Sequence, residues 1–287
     1  MNHSPFLYAP NGALRAPWRI AIFVAVTFVA WTFAAALAAP WLSTLTARAG
    51  VPGAVESDVG VVGLLCAHLV CVRWVDQRPW SAVWLGRNAA RPTAWLEGWG
   101  LGASAIGIPC LVLVAAGALH FAPAAPGSWV GAAVRVTWFL LPAALLEELL
   151  TRGYVFAVLC ESVRWPVALG VMSVAFGLMH LPNNGATVES ITMVTLAGVM
   201  LGAVILATGS LYAAWMAHFA WNWVMAVPFH SPVSGFPLAT PNYQLLDAGP
   251  RWLTGGAWGP EGGLAAAVGM MAALTYLYAR RGRREES

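Results

Sequence analysis

The sequence carries very little charge. Only 9% of its 287 residues are Asp, Glu, Lys or Arg, whereas 59% are hydrophobic, and an ordinary soluble domain has about 25% charged residues. Lysine is absent, so all 15 basic residues are arginines. The net charge of +3 is small and scattered, which argues against the large basic surface of a nucleic-acid-binding protein. The composition therefore predicts a polytopic membrane protein, an all-α bundle with no nucleic-acid partner and the lipid bilayer as its surroundings.

Cysteine is also scarce, and its pattern is uninformative for chemistry. Cys66, Cys71, Cys110 and Cys160 lie in or beside apolar segments, with no C-x-x-C spacing among them. Because a cysteine metal site needs such clusters, we expect four small buried side chains instead. The cysteines therefore indicate no metal site.

Long apolar runs predict about eight transmembrane helices, since a helix needs roughly 20 apolar residues to cross the hydrocarbon core. The first run is longer than the apolar core of about 7–15 residues in a signal peptide, so we interpret it as a retained span. The predicted spans are 18–39, 59–75, 94–119, 130–160, 165–181, 188–207, 210–228 and 261–279.

Arginine positions predict the orientation of these spans, because cytoplasmic loops carry the excess of basic residues. With a cytoplasmic N-terminus, only Arg48 and Arg251 of the loop arginines fall outside. The basic segment 73–93 then lies at the cytoplasmic interface. We therefore expect a multi-pass protein of the cell (inner) membrane with both termini in the cytoplasm.

Four regions follow from these boundaries. The Pro- and Gly-rich stretch between the last two spans is either a structured cap or a mobile loop. The regions are 1–129 with spans 1–3, 130–228 as a core, 229–260 as an extramembrane loop, and 261–287 with the last span and a basic tail.

The paired glycines and a single histidine within the spans have a structural interpretation. Gly98 with Gly102, and Gly198 with Gly202, have the spacing that lets another helix approach closely. A single histidine, His68, lies in the second span, and we interpret it as a packing residue with satisfied hydrogen bonds rather than as a ligand.

The fourth span contains charge where charge is costly. Glu147, Glu148 and Arg152 interrupt an otherwise apolar run, and a charged residue there is disfavoured by about 2.5–3.5 kcal/mol on insertion scales. Glu148 and Arg152 are i,i+4 neighbours that can pair on one helix face. Glu147 is rotated by about 100° from Glu148 and can point elsewhere.

Two further polar groupings lie in other spans. Phe176 and His180 share a face of the fifth span, and His218 and Asn222 share a face of the seventh. Each grouping alone has a structural explanation, because buried ion pairs fix helix register and membrane His or Asn residues bond neighbouring helices. Their compatible depths predict one site between spans 4, 5 and 7.

The three groupings resemble the motifs of a known family. E-E-x-x-x-R at 147–152, F-x-x-x-H at 176–180 and H-x-x-x-N at 218–222 are similar to those of the CAAX prenyl endopeptidase type II family, also called the CPBP intramembrane protease family. The resemblance covers about residues 130–228. It implies an intramembrane endopeptidase of the metal-independent glutamate type, without a cofactor.

The resemblance also implies roles for the residues. Peptide hydrolysis without a covalent intermediate needs a base for water, donors for the oxyanion and an acid for the leaving amine. Glu147 and His180 would hold and deprotonate the water, and His218 and Asn222 would be the oxyanion donors. The supporting residues would be Glu148, Arg152 and Phe176.

The sequence lacks the signatures of several other protease classes. The sequence has no G-x-S-x-G, no H-E-x-x-H and no Asp deep within a predicted span, which argues against serine, zincin-type and paired-aspartate proteases. A zinc-dependent protease with the same residues as ligands remains an alternative. So does a non-catalytic membrane chaperone, immunity or scaffold protein. We expect a lipidated or membrane-embedded polypeptide as the substrate of a protease.

Overall fold

The computed structural model describes residues 4–9, 12–49, 54–238 and 240–285, and these residues are mostly helical. Ten α-helices occur among them, with a π-helical turn, Val70–Val75, that continues α2. The helices are α1 Ala16–Ala49, α2 Ala54–Leu69, α3 Pro92–Ala115, α4 Trp129–Arg152, α5 Tyr154–Ser162, α6 Trp165–Met179, α7 Val188–Thr208, α8 Leu211–Ala226, α9 Arg251–Thr254 and α10 Leu264–Glu285.

Several of these helices are apolar and long enough to cross a membrane, as expected for a multi-pass protein. Within the described residues there are five such segments: Ala16–Arg48, Val55–Val75, Pro92–Ala115, Trp129–Ser162 and Val188–Thr208. The remaining predicted spans correspond to the shorter helices α6, α8 and α10. The total of eight spans stays a prediction.

Helix α8 lies at the centre of the bundle, where it packs against α3, α4 and α7. The hydroxyl of Ser210 caps its first turn, accepting a hydrogen bond from the backbone N–H of Ala213 at 3.1 Å. The same hydroxyl donates to the carbonyl oxygen of Ala89 at 2.6 Å. Capping and the tie to the basic segment therefore fix where α8, with His218 and Asn222, begins.

Glycines allow the close helix approaches that their spacing predicted. A Cβ atom at Gly98 or Gly102 of α3 would collide with the backbone of Ala213 or Ala217 in α8. On α7, Gly198 lies against the backbone of Ser173 in α6. These contacts confirm the predicted packing role of the small residues on α3 and α7.

The predicted fourth span is divided into two helices. Gly153 has φ −84° and ψ −126°, outside the helical region, and separates α4 from α5. His68 stabilises the break, because its Nε2 accepts the backbone N–H of Tyr154 at 3.0 Å while its Nδ1 donates to the carbonyl of Leu64 at 2.7 Å. The interpretation of His68 as a satisfied packing residue is thus confirmed.

The Pro- and Gly-rich stretch is a structured cap in the residues described. Strand β2, Tyr243–Asp247, pairs antiparallel with β1, Leu119–Pro123. The Nδ1 of His230 donates to the carbonyl of Tyr243 at 2.6 Å, and the two rings stack at 3.8 Å. The bundle is therefore mostly helical rather than strictly all-α, because this cap adds a two-stranded sheet.

The predicted burial of the cysteines is only partly correct. Cys71 and Cys110 are buried and Cys160 is half-buried, but Cys66 is exposed. Cys66 lies on the outer face of α2, where an apolar side chain faces the surroundings of the bundle instead of its interior. None of the four cysteines, all of which are described, forms a disulfide.

Part of the basic segment is held by ion pairs. Arg19 of α1 pairs with Asp76 at 2.5 Å and with Glu161 of α5 at 2.8 Å, and Glu161 also pairs with Arg78. The hydroxyl of Tyr154 donates to Asp76 at 2.9 Å. This network joins the start of α1 to the segment that follows α2 and to α5.

We predict that Gly102→Ala destabilises the protein, because the added methyl group meets the backbone of Ala217 and overpacking costs about 1–3 kcal/mol. Gly100→Ala is the matched control, since no other described residue lies within 4 Å of a Cβ there. Thermal unfolding in detergent should show a lower midpoint for Gly102→Ala only. Equal midpoints for the two variants would contradict the α3–α8 contact.

Candidate functional site

Helix α4 presents its two adjacent glutamates to different surroundings. The Glu148 side chain is 0% exposed, whereas that of Glu147 is 29% exposed. The difference arises from the rotation of about 100° between successive helical residues. Two carboxylates that are neighbours in sequence are thus separated into a buried group and an accessible one.

Glu148 binds two partners through one oxygen. Its Oε1 accepts hydrogen bonds from Arg152 at 2.8 Å and from the Nδ1 of His218 at 2.9 Å. Arg152, with 2% of its side chain exposed, also donates to the carbonyl of Gly198 on α7 at 3.4 Å. The predicted i,i+4 pair is present, and its carboxylate also binds His218.

Phe176 of α6 is the packing centre of the cluster. The guanidinium carbon of Arg152 lies 4.1 Å from the centroid of its ring, the distance of a cation–π contact. The ring meets those of His180 and His218 edge-on, with centroids 4.9 Å and 5.8 Å away. Phe176 therefore sets the orientation of both imidazoles.

His180 directly follows α6 and points its Nε2 toward Glu147. Its Nδ1 lies 2.8 Å from the carbonyl oxygen of Phe176, which can only accept, so the proton is on Nδ1. Nε2 then lies 3.8 Å from Oε2 of Glu147. In neutral His180 the atom that faces Glu147 is therefore a hydrogen-bond acceptor.

His218 makes the same approach from α8. Its Nδ1 donates to Glu148, and its Nε2 lies 3.8 Å from the same Oε2 of Glu147. That oxygen is buried and has no hydrogen-bond partner among the described residues. The Nε2 atoms of two imidazoles thus converge on one carboxylate oxygen, which has room to accept a hydrogen bond.

A small cavity of about 20 Å³ lies beside the two histidines. It has room for about one water molecule. Glu147 does not line this cavity, but five other polar side chains of the described residues do. These are His180, His218, Asn222, Ser234 and Glu261.

Ser234 and Glu261 were not predicted from the sequence. Both belong to the segment after α8, and Glu261 is 7% exposed. The available signal was a lone acidic residue in a Gly- and Pro-rich run directly before the last apolar helix. All seven predicted site and supporting residues, by contrast, are brought together by the fold.

The described residues form no group of three or more His, Cys, Asp or Glu side chains with the arrangement of a metal site. The three groups that come nearest to such a set are Glu147, His180 and His218. Oε2 of Glu147 lies 3.8 Å from Nε2 of each histidine, a separation at which a water can join polar groups that do not bond directly.

A carboxylate and two histidines enclosed by apolar helices define a membrane protein with a polar site inside its bundle. Residues 129–224, from the start of α4 to near the end of α8, match the family model Type II CAAX prenyl endopeptidase Rce1-like. This part of the chain is therefore a domain of the Rce1-like type II CAAX prenyl endopeptidase family, and the resemblance seen in the sequence is confirmed. Comparisons with curated proteins and with solved structures gave no significant match.

We predict that Glu148→Ala strongly destabilises the protein, because it leaves the buried Arg152 without its carboxylate, a loss of about 3–5 kcal/mol. Arg78→Ala is the control, since Arg78 is 44% exposed and such pairs contribute about 0–1 kcal/mol. Thermal unfolding in detergent compares the two. Similar midpoints would show that Glu148 does not stabilise the cluster.

Proposed function

We propose that the protein is an intramembrane endopeptidase in which Glu147 activates a water molecule to hydrolyse a peptide bond. The observation that carries this proposal is that Oε2 of Glu147 lies 3.8 Å from the Nε2 atoms of both His180 and His218. The Rce1-like domain, which contains all three residues, supports the same class of reaction.

The spacing of these atoms suits one bridging water. A separation of 3.8 Å is too long for a direct hydrogen bond, but a water between the groups can donate one proton to Oε2 and the other to an imidazole Nε2. Glu147 then accepts a proton as the water attacks the peptide carbonyl, and it passes that proton to the leaving amine. Its side chain is partly exposed, while Oε2 itself is buried beside the histidines.

His218 and Asn222 are proposed as the donors for the oxyanion. The carboxylate of Glu148, 2.9 Å from Nδ1 of His218, stabilises a doubly protonated imidazole whose Nε2–H can donate. The amide of Asn222, one helical turn further along α8, lines the same cavity. Preorganised donors of this kind lower the barrier because they need no rearrangement when the charge develops.

The substrate class follows from the surroundings of the site. Apolar helices enclose it, so we propose a lipidated or membrane-embedded polypeptide, such as one with a CAAX-like tail. We also propose the cell (inner) membrane as the location, with both termini in the cytoplasm. The basis for that orientation is the distribution of arginines among the loops.

A zinc-dependent protease is the second candidate. It is favoured by the same convergence of two imidazole nitrogens and a carboxylate oxygen, since His and Glu are common ligands of catalytic zinc. In that case Glu147 would be a ligand, and removal of the metal would abolish cleavage.

We predict that Glu147→Gln lowers cleavage of a quenched fluorescent, farnesylated CAAX-type peptide by about 100-fold or more, because general-base catalysis contributes about 10²–10⁴-fold. His180→Ala should lose a similar factor. Glu97→Gln removes a carboxylate that pairs with Arg280 away from the site, and it should cleave like wild type. Wild-type cleavage by Glu147→Gln would overturn the mechanism.

Chelation separates the two protease mechanisms. With water activated by Glu147 alone, we predict that the wild-type protein in detergent retains its rate after prolonged dialysis against a strong zinc chelator. Loss of activity that returns on addition of zinc would favour the zinc protease. Binding of a polypeptide without cleavage by any variant would instead favour the chaperone or scaffold function.

A further inference from the structure

A third carboxylate, Glu261, faces the cavity beside the two histidines. It lies in the turn Pro260–Gly262 before α10, outside the matched residues 129–224. Its side chain is buried, although the residues around it are mostly Gly, Pro and apolar. A buried carboxylate is costly unless hydrogen bonds compensate for the lost hydration, so its partners indicate what it holds in place.

Both oxygens of Glu261 accept hydrogen bonds from different parts of the chain. Oε2 accepts the indole N–H of Trp221 at 2.8 Å, and Oε1 accepts the hydroxyl of Ser234 at 2.9 Å and its backbone N–H at 2.5 Å. Trp221 is in α8, directly before Asn222. The carboxylate thus joins the helix of the proposed oxyanion donors to the cap.

The connection continues from the cap to His180. The carbonyl of Ser234 accepts the side-chain amide of Asn183 at 3.0 Å, and the backbone N–H of Asn183 donates to the carbonyl of His180 at 3.1 Å. A continuous series of hydrogen bonds therefore runs from His180 through Asn183, Ser234 and Glu261 to Trp221. It spans the two sides of the cavity.

We propose that Glu261 is a positioning residue of the active site, which fixes α8 relative to His180 by holding Trp221 and Ser234 at once. This inference rests on the proposed proteolytic function. Glu261 acts through these partners and takes no proton in the reaction. Loss of its bonds lets His218 and Asn222 shift against His180, and a shift of about 1 Å in such groups reduces catalysis by about 100-fold.

The first test is the kinetics of Glu261→Gln on the farnesylated peptide. The amide keeps the shape of the side chain, but an N–H donor must now face either Trp221 or Ser234. We expect kcat to fall by about 10–100-fold, with KM changed by less than about threefold, and Glu261→Asp to recover part of kcat. The matched control is Glu97→Gln. It removes a carboxylate of α3 that pairs with Arg280, near the other end of α10.

A double-mutant cycle tests whether Glu261 acts through Trp221. Trp221→Phe removes the same hydrogen bond but keeps the carboxylate, so each single variant should lower kcat. The double variant Glu261→Gln with Trp221→Phe should be no worse than the poorer single variant, because contacting residues in one network are not additive. Full additivity, or a wild-type kcat for Glu261→Gln, would overturn the proposal. If Glu261→Gln does not fold, Trp221→Phe tests the proposal alone: a lowered kcat supports it, and a wild-type kcat overturns it.

Histidine footprinting with diethyl pyrocarbonate gives a readout that does not depend on cleavage. His120 is exposed and His68 is 0% exposed, so they serve as internal references in the same protein. We expect labelling of His180 and His218 to rise several-fold in Glu261→Gln and not in Glu97→Gln, in each case relative to these references.

The two readouts separate the failure of each proposal. Unchanged labelling of both histidines in Glu261→Gln would show that Glu261 does not hold the site, whatever the cleavage assay gives. Increased labelling together with a wild-type protein that cleaves no peptide would contradict the protease function, and with it the catalytic consequence drawn for Glu261.

Discussion

The rest of the site depends on the hydrogen bonds that the buried carboxylate of Glu148 accepts. A charged side chain that is fully buried needs partners inside the protein to replace its lost hydration. Here Arg152 and His218 both donate to Oε1 of Glu148, at 2.8 and 2.9 Å. Arg152 in turn contacts the carbonyl of Gly198 and the ring of Phe176. The contacts of this one pair therefore fix α4, α6, α7 and α8 relative to one another, which is the arrangement that any chemistry at Glu147 requires.

The same interaction divides the work between two adjacent glutamates. Because Glu148 uses Arg152 and His218, Glu147 keeps an oxygen without a partner in the described structure, 3.8 Å from two imidazole nitrogens. Oε1 of the fully buried Glu148 already accepts two hydrogen bonds. Oε2 of Glu147, which faces the Nε2 atoms of both histidines, accepts none among the described residues and can accept one from a water. Helical rotation of about 100° is thus enough to give neighbouring residues a structural and a proposed catalytic function.

Local spacing predicted what lies along one helix, and long-range contacts explain the rest. Spacing of i,i+4 along one helix accounts for three features: the pairing of Glu148 with Arg152, the contact of Phe176 with His180, and the close packing at Gly98 and Gly102. The bond between Glu148 and His218 joins positions 70 residues apart, and spacing on either helix does not specify it. The break at Gly153 likewise depends on a hydrogen bond to His68 in a distant helix. The structural role of Glu261 depends on Trp221 in α8 and Ser234 in the cap.

The size of the cavity bears on how a substrate reaches the site. A volume of about 20 Å³ accommodates about one water and is far too small for a peptide, so substrate does not occupy it unless Glu261 and Ser234 move. The partly exposed side chain of Glu147 lies outside that cavity, but its Oε2, the oxygen proposed to bind the water, is buried. The proposed oxyanion donors His218 and Asn222 line the cavity, so on the proposed mechanism a peptide carbonyl reaches them only when part of the cavity wall moves. In the described structure the hydrogen bonds of Glu261 to Trp221 and Ser234 hold that wall. They keep the proposed donors in place in a closed site, where preorganised donors are most effective.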